Sequence, residues 1–340
     1  MRFFFLKRGN EKLGSNRIFI ENLSKWIDSL GYDVKVSTEI EKDYDVYILS
    51  KYSSLNDIIE IQKLDNKKLI GLVHPTDLSE KGKKMMNKCD FLIVGSLEEK
   101  DYYLNFHENI IRFPQIEDIK IINKVHTKKD QILIGYHGNL EHLEEMEGAC
   151  EYALEKLSQE HNIKLIAIYD FSLGKWKKGR PKNIEIEDIN WTSVDKMVLD
   201  LKKVDIGIVP GTNNFFLDQA STKKNLFYWM IKKFTGGNNN RINDYIIRFK
   251  TTSNAGRCFV FHQLGIPIVA DFWPSHFEIL GNSKCGMLAH SQNGWYQSLN
   301  KLIISAALRQ EMSQNAHDTF IQKYDYTIWT KDLINQLKML

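Results

Sequence analysis

The 340-residue sequence lacks the features that mark several specialised classes of protein. Its four cysteines are far apart and form no Cys-x-x-Cys pair, which argues against a disulfide framework or a zinc site and predicts free thiols. The formal net charge of +3 is too small for the basic surface of a nucleic-acid-binding protein. No apolar run approaches the ~18 residues of a membrane-spanning helix. These absences predict a cytoplasmic protein that binds no nucleic acid and whose membrane contacts, where it has any, are peripheral.

Short apolar runs alternate with stretches of helical spacing, a pattern typical of parallel sheets covered by helices on both faces. The length predicts two such α/β domains. The apolar run near the start is too short for a signal peptide and is expected to form the first strand. In the first half, the predicted strands are Phe3–Leu6, Val34–Val36, Val46–Leu49, Leu69–Val73 and Phe91–Val94.

The loop after the first predicted strand leads into a helix that is expected to end at Gly31. Gly14, Ser15 and Asn16 lie at the start of this helix, near the carboxyl end of a predicted strand, where ligands of open α/β sheets bind. Alternatively, Ser15 or Asn16 only caps the helix. A further helix is predicted at Leu97–Tyr103.

The alternation of short apolar runs with helical stretches stops between about Phe113 and Asp130, where a polar and basic run predicts a domain linker. It resumes with predicted strands at Ile132–Tyr136, Leu165–Tyr169, Ile184–Ile186 and Asp205–Val209, and with predicted helices at Leu140–Leu157 and Val194–Leu201. Residues 212–249 interrupt the cycle and are interpreted as an insertion. We predict an N-terminal domain of residues 1–124, a C-terminal domain of residues 125–322, and a final helix in residues 323–340 that packs back on the N-terminal domain.

The segment from Lys250 to Asp271 has the layout of a phosphate-binding site. A basic residue is followed by a polar helix start, a short apolar helix, a glycine and a buried strand. A helix start offers unpaired N–H groups and partial positive charge, which suit a phosphate. Lys250 and Arg257 would supply fixed cations, or would be solvated surface charges. Ser253 and Asn254 would cap the helix and face the same phosphate.

Several motifs of the second half together resemble those of the GT-B glycosyltransferases, especially the group-one family with a family-four-like C-terminal half. Residues 204–210 (VDIGIVP) are similar to that family's "aDvgi.P" strand, and residues 250–269 to its "K-x-x-S-N-x-x-R … G-x-P-v-v" donor segment. Glu278 and the run CGML at 285–288 resemble its "E-i … G-l-l" element. The resemblance covers residues 131–310. It implies two Rossmann-like domains facing a central cleft, with the nucleotide sugar on the second domain and the acceptor on the first. By the same resemblance, Gly14, Ser15 and Asn16 are candidates for lining the acceptor site.

One departure from the family concerns the carboxylates that hold the sugar. Many retaining members have two glutamates in an E-x7-E arrangement, but Thr252 and Val260 stand near the corresponding positions. Retention of configuration is therefore not carried over. Glu278 would contact the ribose or sugar of the donor by family position, or would cap a helix through the S-x-x-E pattern that begins at Ser275.

Other candidate donor residues lie where predicted strands end, the usual place for ligands in open α/β sheets. His137, Gly138 and Asn139 form the first strand-to-helix turn of the second domain, and Gly138 would let a ligand approach the backbone. A plain tight turn is the alternative. Trp191 lies where related enzymes approach the nucleobase, or is a buried packing residue.

Two residues after the predicted strand Leu69–Val73 are candidates for catalysis. Displacing a nucleotide by an acceptor hydroxyl needs a base if configuration inverts, and His74 or Asp77 could reach a ligand from a strand end. Alternatively, His74 only packs, and Thr76 or Asp77 caps the next helix.

The insertion mixes aromatic residues with lysines over residues 215–234. This composition would suit an anionic membrane surface or a lipid-linked acceptor, with packing on the protein body as the alternative. Asp43 and Asp45 match an Asp-x-Asp metal motif but abut a predicted strand. We therefore expect metal-independent chemistry, with the nucleotide sugar as co-substrate and no further cofactor.

The sequence as a whole predicts a glycosyltransferase that moves a sugar from a nucleotide-activated donor to a saccharide or lipid-linked acceptor. Bacterial surface polysaccharide or glycoconjugate synthesis, in the cytoplasm or at the inner face of the membrane, is the expected setting. Two other functions remain open. One is a nucleotide-sugar epimerase on the same fold, and the other is a non-catalytic module that binds a nucleotide sugar within an assembly complex.

Overall fold

The computed structural model describes residues 1–10, 13–65, 68–211, 253–282 and 284–340. The chain divides into two compact units. The first comprises Met1–Asn123, Thr251–Gly265 and Gln314–Leu340, and the second comprises Lys124–Lys250 and Ile266–Ser313. The predicted insertion, residues 212–249, and Lys250 lie outside the described residues.

The first unit is built on a parallel six-stranded sheet in the order β2-β1-β3-β4-β5-β6. Its strands are β1 Arg2–Leu6, β2 Asp33–Ser37, β3 Val46–Leu49, β4 Leu69–Val73, β5 Phe91–Val94 and β6 Ile110–Arg112. Phe3, Phe4 and Phe5 are fully buried, because helices cover both faces of a central parallel strand.

The helices assigned to the first unit include one that passes through a π-helical turn. This helix begins as Gly14–Asn16, widens over Arg17–Asn22 and continues as Leu23–Ser29. The others are Leu55–Gln62, Glu80–Met86, Leu97–Tyr103, Gly256–Gln263, the π-helical turn Phe320–Tyr324 and Tyr326–Leu337. The last helix packs on the rest of the unit, since the rings of Trp26 and Tyr326 stack with their centroids 4.9 Å apart.

The second unit contains another parallel six-stranded sheet, in the order β12-β11-β10-β7-β8-β9. Its strands are β7 Ile132–His137, β8 Ile163–Tyr169, β9 Glu185–Asn190, β10 Ile206–Val209, β11 Ile268–Ala270 and β12 Gly286–Leu288. Its helices are Leu140–Glu144, Ala149–Glu160, Val194–Leu201, Pro274–Leu280 and Gln292–Ile304, with a 3₁₀ turn at Phe171–Leu173. The helix Ala306–Thr319 contains the unit boundary. Read from β9 to β12, the strand order is the 3-2-1-4-5-6 arrangement of doubly wound nucleotide-binding sheets.

The predicted fold class, α/β with two Rossmann-like sheets, is confirmed. Several local predictions are wrong. The helix predicted at Leu140–Leu157 is two helices, because Gly148 adopts a φ of 96° between them. Neither Ser15 nor Asn16 caps its helix, which begins at Gly14 after Leu13. The capping box predicted at Ser275 does not form, because Pro274 already occupies the first position of that helix.

Candidate functional site

His74 is the most distinctive residue at the carboxyl edge of the first unit's sheet. It directly follows β4 and adopts a φ of 43°, which a non-glycine residue rarely holds without a functional or structural reason. The side chain is buried, and its ring stacks on that of Phe19 in the π-helical turn, with centroids 5.8 Å apart. Such turns occur often at functional sites.

Glu99 is the partner of His74. The Nδ1 atom of His74 lies 2.8 Å from the Oε1 atom of Glu99, which is within ion-pair distance, although the two atoms do not have the geometry of a hydrogen bond. Glu99 is fully buried, and its Oε2 atom accepts a hydrogen bond from the backbone N–H of Gly95. This arrangement, a histidine oriented by a buried carboxylate, is the one that general-base catalysis uses.

Two hydrogen bonds hold the backbone next to the pair. Ser96 caps the Leu97–Tyr103 helix by accepting a hydrogen bond from the N–H of Glu99, 3.2 Å away. The hydroxyl of Tyr103 donates to the carbonyl oxygen of Pro75, next to His74 in sequence. Burial raises the pKa of Tyr103, and the negative charge of Glu99 raises it further, so the phenol remains a donor.

The outer nitrogen of His74 is available for chemistry. Nε2 forms no hydrogen bond with the residues that the structure describes, and it is not among the fully buried polar atoms. An acceptor hydroxyl could therefore approach Nε2 while Nδ1 faces Glu99. Sequence reasoning missed Glu99, although the pattern Ser96-Leu97-Glu98-Glu99 has the S-x-x-E spacing of a helix start.

Asp77, the other predicted catalytic residue, has a different environment. It is exposed, and its Oδ1 atom accepts a hydrogen bond from the N–H of Ser79, 2.9 Å away. Hydrogen bonds from the Ser79 hydroxyl and N–H lower the pKa of Asp77. The next helix, Glu80–Met86, is capped by Ser79 and not by Thr76 or Asp77.

The predicted acceptor residues Gly14, Ser15 and Asn16 lie in the first helical turn after β1. Asn16 is fully buried and holds the preceding loop together. Its amide donates to the carbonyl oxygens of Arg8 and Asn10, at 2.7 and 3.1 Å, and its Oδ1 atom accepts from Ser50 at 2.7 Å. Gly14 and Ser15 are half-buried. The hydrogen bonds of the Asn16 side chain thus hold the loop in shape. Gly14 and Ser15 are therefore the more accessible candidates for contact with an acceptor.

In the second unit, His137, Gly138 and Asn139 follow β7 as predicted for a strand-to-helix turn. His137 is buried, Gly138 adopts a φ of 145°, and Asn139 is exposed. The hydroxyl of Tyr136 donates to the carbonyl oxygen of Asn139 at 2.8 Å. β7 and β10 are neighbours at the point where the strand order reverses, so this turn borders the crevice where such sheets bind ligands.

Sequence reasoning assigned no role to the buried polar residues that follow β11 and β12. The Oδ1 atom of Asp271 lies 2.7 Å from the Nδ1 atom of His290, and each side chain is only 2% exposed. The fully buried His276 uses Nδ1 to contact the backbone oxygen of Asp271 at 2.9 Å. Burial raises the pKa of Asp271, while the hydrogen bond and charge of His290 oppose that rise. An aspartate directly after a buried strand was the available signal in the sequence.

The segment predicted to hold the donor phosphates is described only from Ser253 onwards. Ser253 is buried, and its hydroxyl forms no hydrogen bond with the described residues. Asn254 does not cap the Gly256–Gln263 helix, which has Ala255 at its N-cap, but its Oδ1 atom accepts from the N–H of Gly256 at 3.0 Å. Arg257, in the first turn, is half-buried.

The Gly256–Gln263 helix packs within the first unit, although the sequence suggested the C-terminal domain. The rings of Phe259 and Tyr324 lie 4.8 Å apart, and Gln263 donates to the carbonyl oxygen of Glu117 at 3.0 Å. The two remaining predicted donor residues belong to the second unit. Trp191 follows β9 and is half-buried, and Glu278 is exposed on the Pro274–Leu280 helix.

The described ranges were considered for two further features, a metal site and a membrane-spanning helix, and contain neither. They contain no group of three or more histidine, cysteine, aspartate or glutamate residues arranged to hold a metal ion. Across the same part of the chain, no helix is both long and apolar enough to cross a membrane.

Comparison with known proteins gives a consistent fold. No protein family matches the sequence, and no curated protein does. Among solved structures, the chain is similar to a sucrose-phosphate synthase from Thermosynechococcus elongatus, with a TM-score of 0.62 at 9% identity over 100% of this chain and 99% of that one. It is also similar to the Anabaena protein HepE in complex with UDP, with a TM-score of 0.57 at 11% identity over the whole of both chains.

A third similar structure is an E. coli trehalose-6-phosphate protein bound to UDP-2-fluoroglucose. Its TM-score is 0.58 at 13% identity, over 95% of this chain and 78% of that one. These likenesses show that the chain has the GT-B fold, as the sequence motifs suggested.

Proposed function

We propose that this protein is a glycosyltransferase that moves a sugar from a nucleotide-activated donor to a hydroxyl group of a saccharide or lipid-linked acceptor. The observation that carries the proposal is the pairing of His74 with Glu99 at the carboxyl edge of the first sheet, in a chain with the GT-B fold. Similar structures whose names include UDP or a UDP sugar support a nucleotide-sugar donor.

In the proposed reaction, Nε2 of His74 removes the proton from the acceptor hydroxyl as its oxygen attacks the anomeric carbon. The new bond joins the acceptor oxygen to that carbon, and the bond to the nucleotide phosphate breaks and leaves the nucleotide with the electron pair. Glu99 holds the Nδ1–H of His74 and stabilises the positive charge that the ring gains. The buried setting of the pair strengthens this electrostatic interaction.

On the donor side, the proposal assigns roles to residues of the predicted set. Lys250 and Arg257 would oppose the negative charge that develops on the departing nucleotide, and Ser253 and Asn254 would bind the phosphates. His137–Asn139, Trp191 and Glu278 would contact the remainder of the donor. We further propose that transfer needs no metal ion, since fixed cations would neutralise the charge on the departing phosphates, as a metal ion does in other enzymes.

The setting of the reaction is also part of the proposal. Synthesis of a bacterial surface polysaccharide or glycoconjugate would require this chemistry on the cytoplasmic side of the membrane. Residues 215–234, which would provide a membrane contact, lie outside the described residues.

Incubation with UDP, GDP, ADP and CMP sugars, with and without a mixture of saccharide acceptors, tests the proposal. We expect one nucleotide to be released at a rate that depends on an acceptor. Isomerisation of the donor without release would instead indicate an epimerase, and binding without turnover would indicate a non-catalytic module. Either result would overturn transferase activity.

Lys250→Ala provides a separate test of the donor site. We expect nucleotide affinity to fall by roughly tenfold or more while the thermal unfolding temperature stays unchanged, because the lysine would act on the phosphates and not on the fold. Isothermal titration with the nucleotide identified above measures this. Unchanged affinity would remove Lys250 from the site.

A further inference from the structure

In the second unit, a single buried carboxylate joins the ends of three neighbouring strands. Asp271 directly follows β11, and its Oδ1 atom lies 2.7 Å from Nδ1 of His290, which lies just beyond β12. Its Oδ2 atom accepts a hydrogen bond from the N–H of Gly211, the second residue after β10, at 3.3 Å. The N–H of Phe272 also donates to Oδ1, at 2.9 Å.

Gly211 connects this cluster to the ligand-binding edge of the sheet. β10 and β7 flank the reversal of strand order, and ligands of open α/β sheets bind at the carboxyl ends of strands near that reversal. The β10 end therefore forms one wall of the crevice. Trp273 packs so closely on Gly211 that a Cβ atom there would lie 2.6 Å from the indole, so the path of the chain at this wall is fixed from two sides.

We propose that Asp271 is a positioning residue for the nucleotide donor. It holds the end of β10 in place through Gly211 and is itself held by His290, so that the wall of the crevice is already ordered when the nucleotide binds. This inference rests on the proposed function for the identity of the ligand, but it concerns binding and not transfer.

The hydrogen-bonding pattern explains why this position requires a carboxylate. The N–H groups of Gly211 and Phe272 donate to different oxygens of Asp271, and only an ionised carboxylate presents acceptors on both oxygens. Nδ1 of His290 can donate to such a carboxylate when it carries the ring proton. Asparagine has one carbonyl oxygen, so its NH₂ group would face the N–H of either Gly211 or Phe272. A buried charge is costly unless it is paired, and His290 provides the pairing.

The test compares Asp271→Asn with a control at the opposite edge of the same sheet. Asp205 precedes β10, is 1% exposed, accepts from the N–H of Leu133 at 3.1 Å and pairs with Lys129. Asp205→Asn therefore also disturbs a buried, paired carboxylate of this unit, but it lies at the amino end of β10, away from the carboxyl ends of the strands. Nucleotide dissociation constants are measured by isothermal titration with UDP, GDP, ADP and CMP, alongside thermal unfolding of each variant.

We expect Asp271→Asn to weaken binding of the preferred nucleotide by roughly tenfold and to raise the donor KM with little change in the acceptor KM. Asp205→Asn should lower the unfolding temperature and leave nucleotide affinity within about twofold of the native protein. Equal loss of affinity in both variants, unchanged affinity in Asp271→Asn, or a native protein that binds none of the four nucleotides would overturn the inference.

Variants of His290 provide a second comparison. His290→Leu removes the partner of Asp271 and should weaken nucleotide binding. His290→Asn keeps an N–H near the position of Nδ1 and should restore much of the affinity. Failure of this rescue would count against the pairing. Since these measurements use binding, a protein that binds nucleotide as expected but transfers no sugar would refute the proposed function and leave this inference standing.

Discussion

At the scale of single residues, the proposed function depends on His74, whose backbone is strained and whose ring lies beside the buried Glu99. His74 holds a φ of 43° directly after β4, and its Nδ1 atom lies 2.8 Å from Glu99. The sequence pointed to His74 because it ends a buried strand. It could not identify Glu99, because the two residues meet only when β4 and β5 pair in the sheet.

Glu99→Gln should lower the turnover number for sugar transfer by about 100-fold or more, because the amide leaves the imidazolium of His74 without its counter-charge. Steady-state kinetics with the identified donor and acceptor measure this. The control is Glu80→Gln, since the side chain of Glu80 is 84% exposed on the neighbouring helix. Equal turnover in the Glu99 variant and the native protein would rule out the pair as the base.

A second prediction at this scale concerns Lys124, whose ammonium group donates to the carbonyl oxygens of Lys202 and Val204. Burial lowers the pKa of Lys124 from 10.5 to about 8, and the charge of Asp205 opposes this. At pH values between about 8 and 10.5, Lys124 has lost its proton in the folded chain but still holds it in the unfolded chain. The free energy of unfolding should therefore rise with pH across this window.

The size of this effect should be on the order of 1–2 kcal/mol after allowance for solvent screening. Urea denaturation at pH values from about 7 to about 10.5 measures it in the native protein and in Lys124→Met. The free energy of unfolding of the native protein should increase with pH relative to that of Lys124→Met. A pH-independent difference would contradict the lowered pKa.

At the scale of secondary structure, buried strands were predicted well and helix boundaries less well. Val46–Leu49, Leu69–Val73 and Phe91–Val94 have the predicted bounds, since each is a continuous apolar run buried on both faces. The break at Gly148 was missed because the apolar residues on either side keep a helical spacing. Helix caps depend on single backbone angles, which the pattern of apolar residues does not reveal.

Substitutions of Gly31 test whether this glycine ends the first long helix, as the sequence predicts. It adopts a φ of 85°, and a Cβ atom there would meet no heavy atom within 4 Å. Gly31→Ala should therefore cost about 1 kcal/mol of folding free energy through backbone strain alone, and Gly31→Asn should cost less because asparagine tolerates this conformation. Denaturant unfolding of both variants is the measurement. An alanine variant as stable as the native protein would show that the backbone relaxes.

At the scale of the whole molecule, the alternation of strands and helices was enough to predict two doubly wound sheets. The order of strands within each sheet, and the reversal between β7 and β10, came only from the structure. The packing of the Gly256–Gln263 helix within the first unit was also beyond the sequence, because the motif specifies the local chain and not its tertiary partners. The fold was therefore predictable, whereas the Asp271–His290 and His74–Glu99 pairs required tertiary structure.

We propose that His74 acts as the base in transfer of a sugar from a nucleotide donor. The most direct test measures acceptor-dependent nucleotide release and nucleotide affinity in His74→Ala. We expect release to fall by roughly 10²- to 10⁴-fold while the nucleotide dissociation constant stays unchanged. Acceptor-dependent release at the native rate in a folded His74→Ala protein would contradict it.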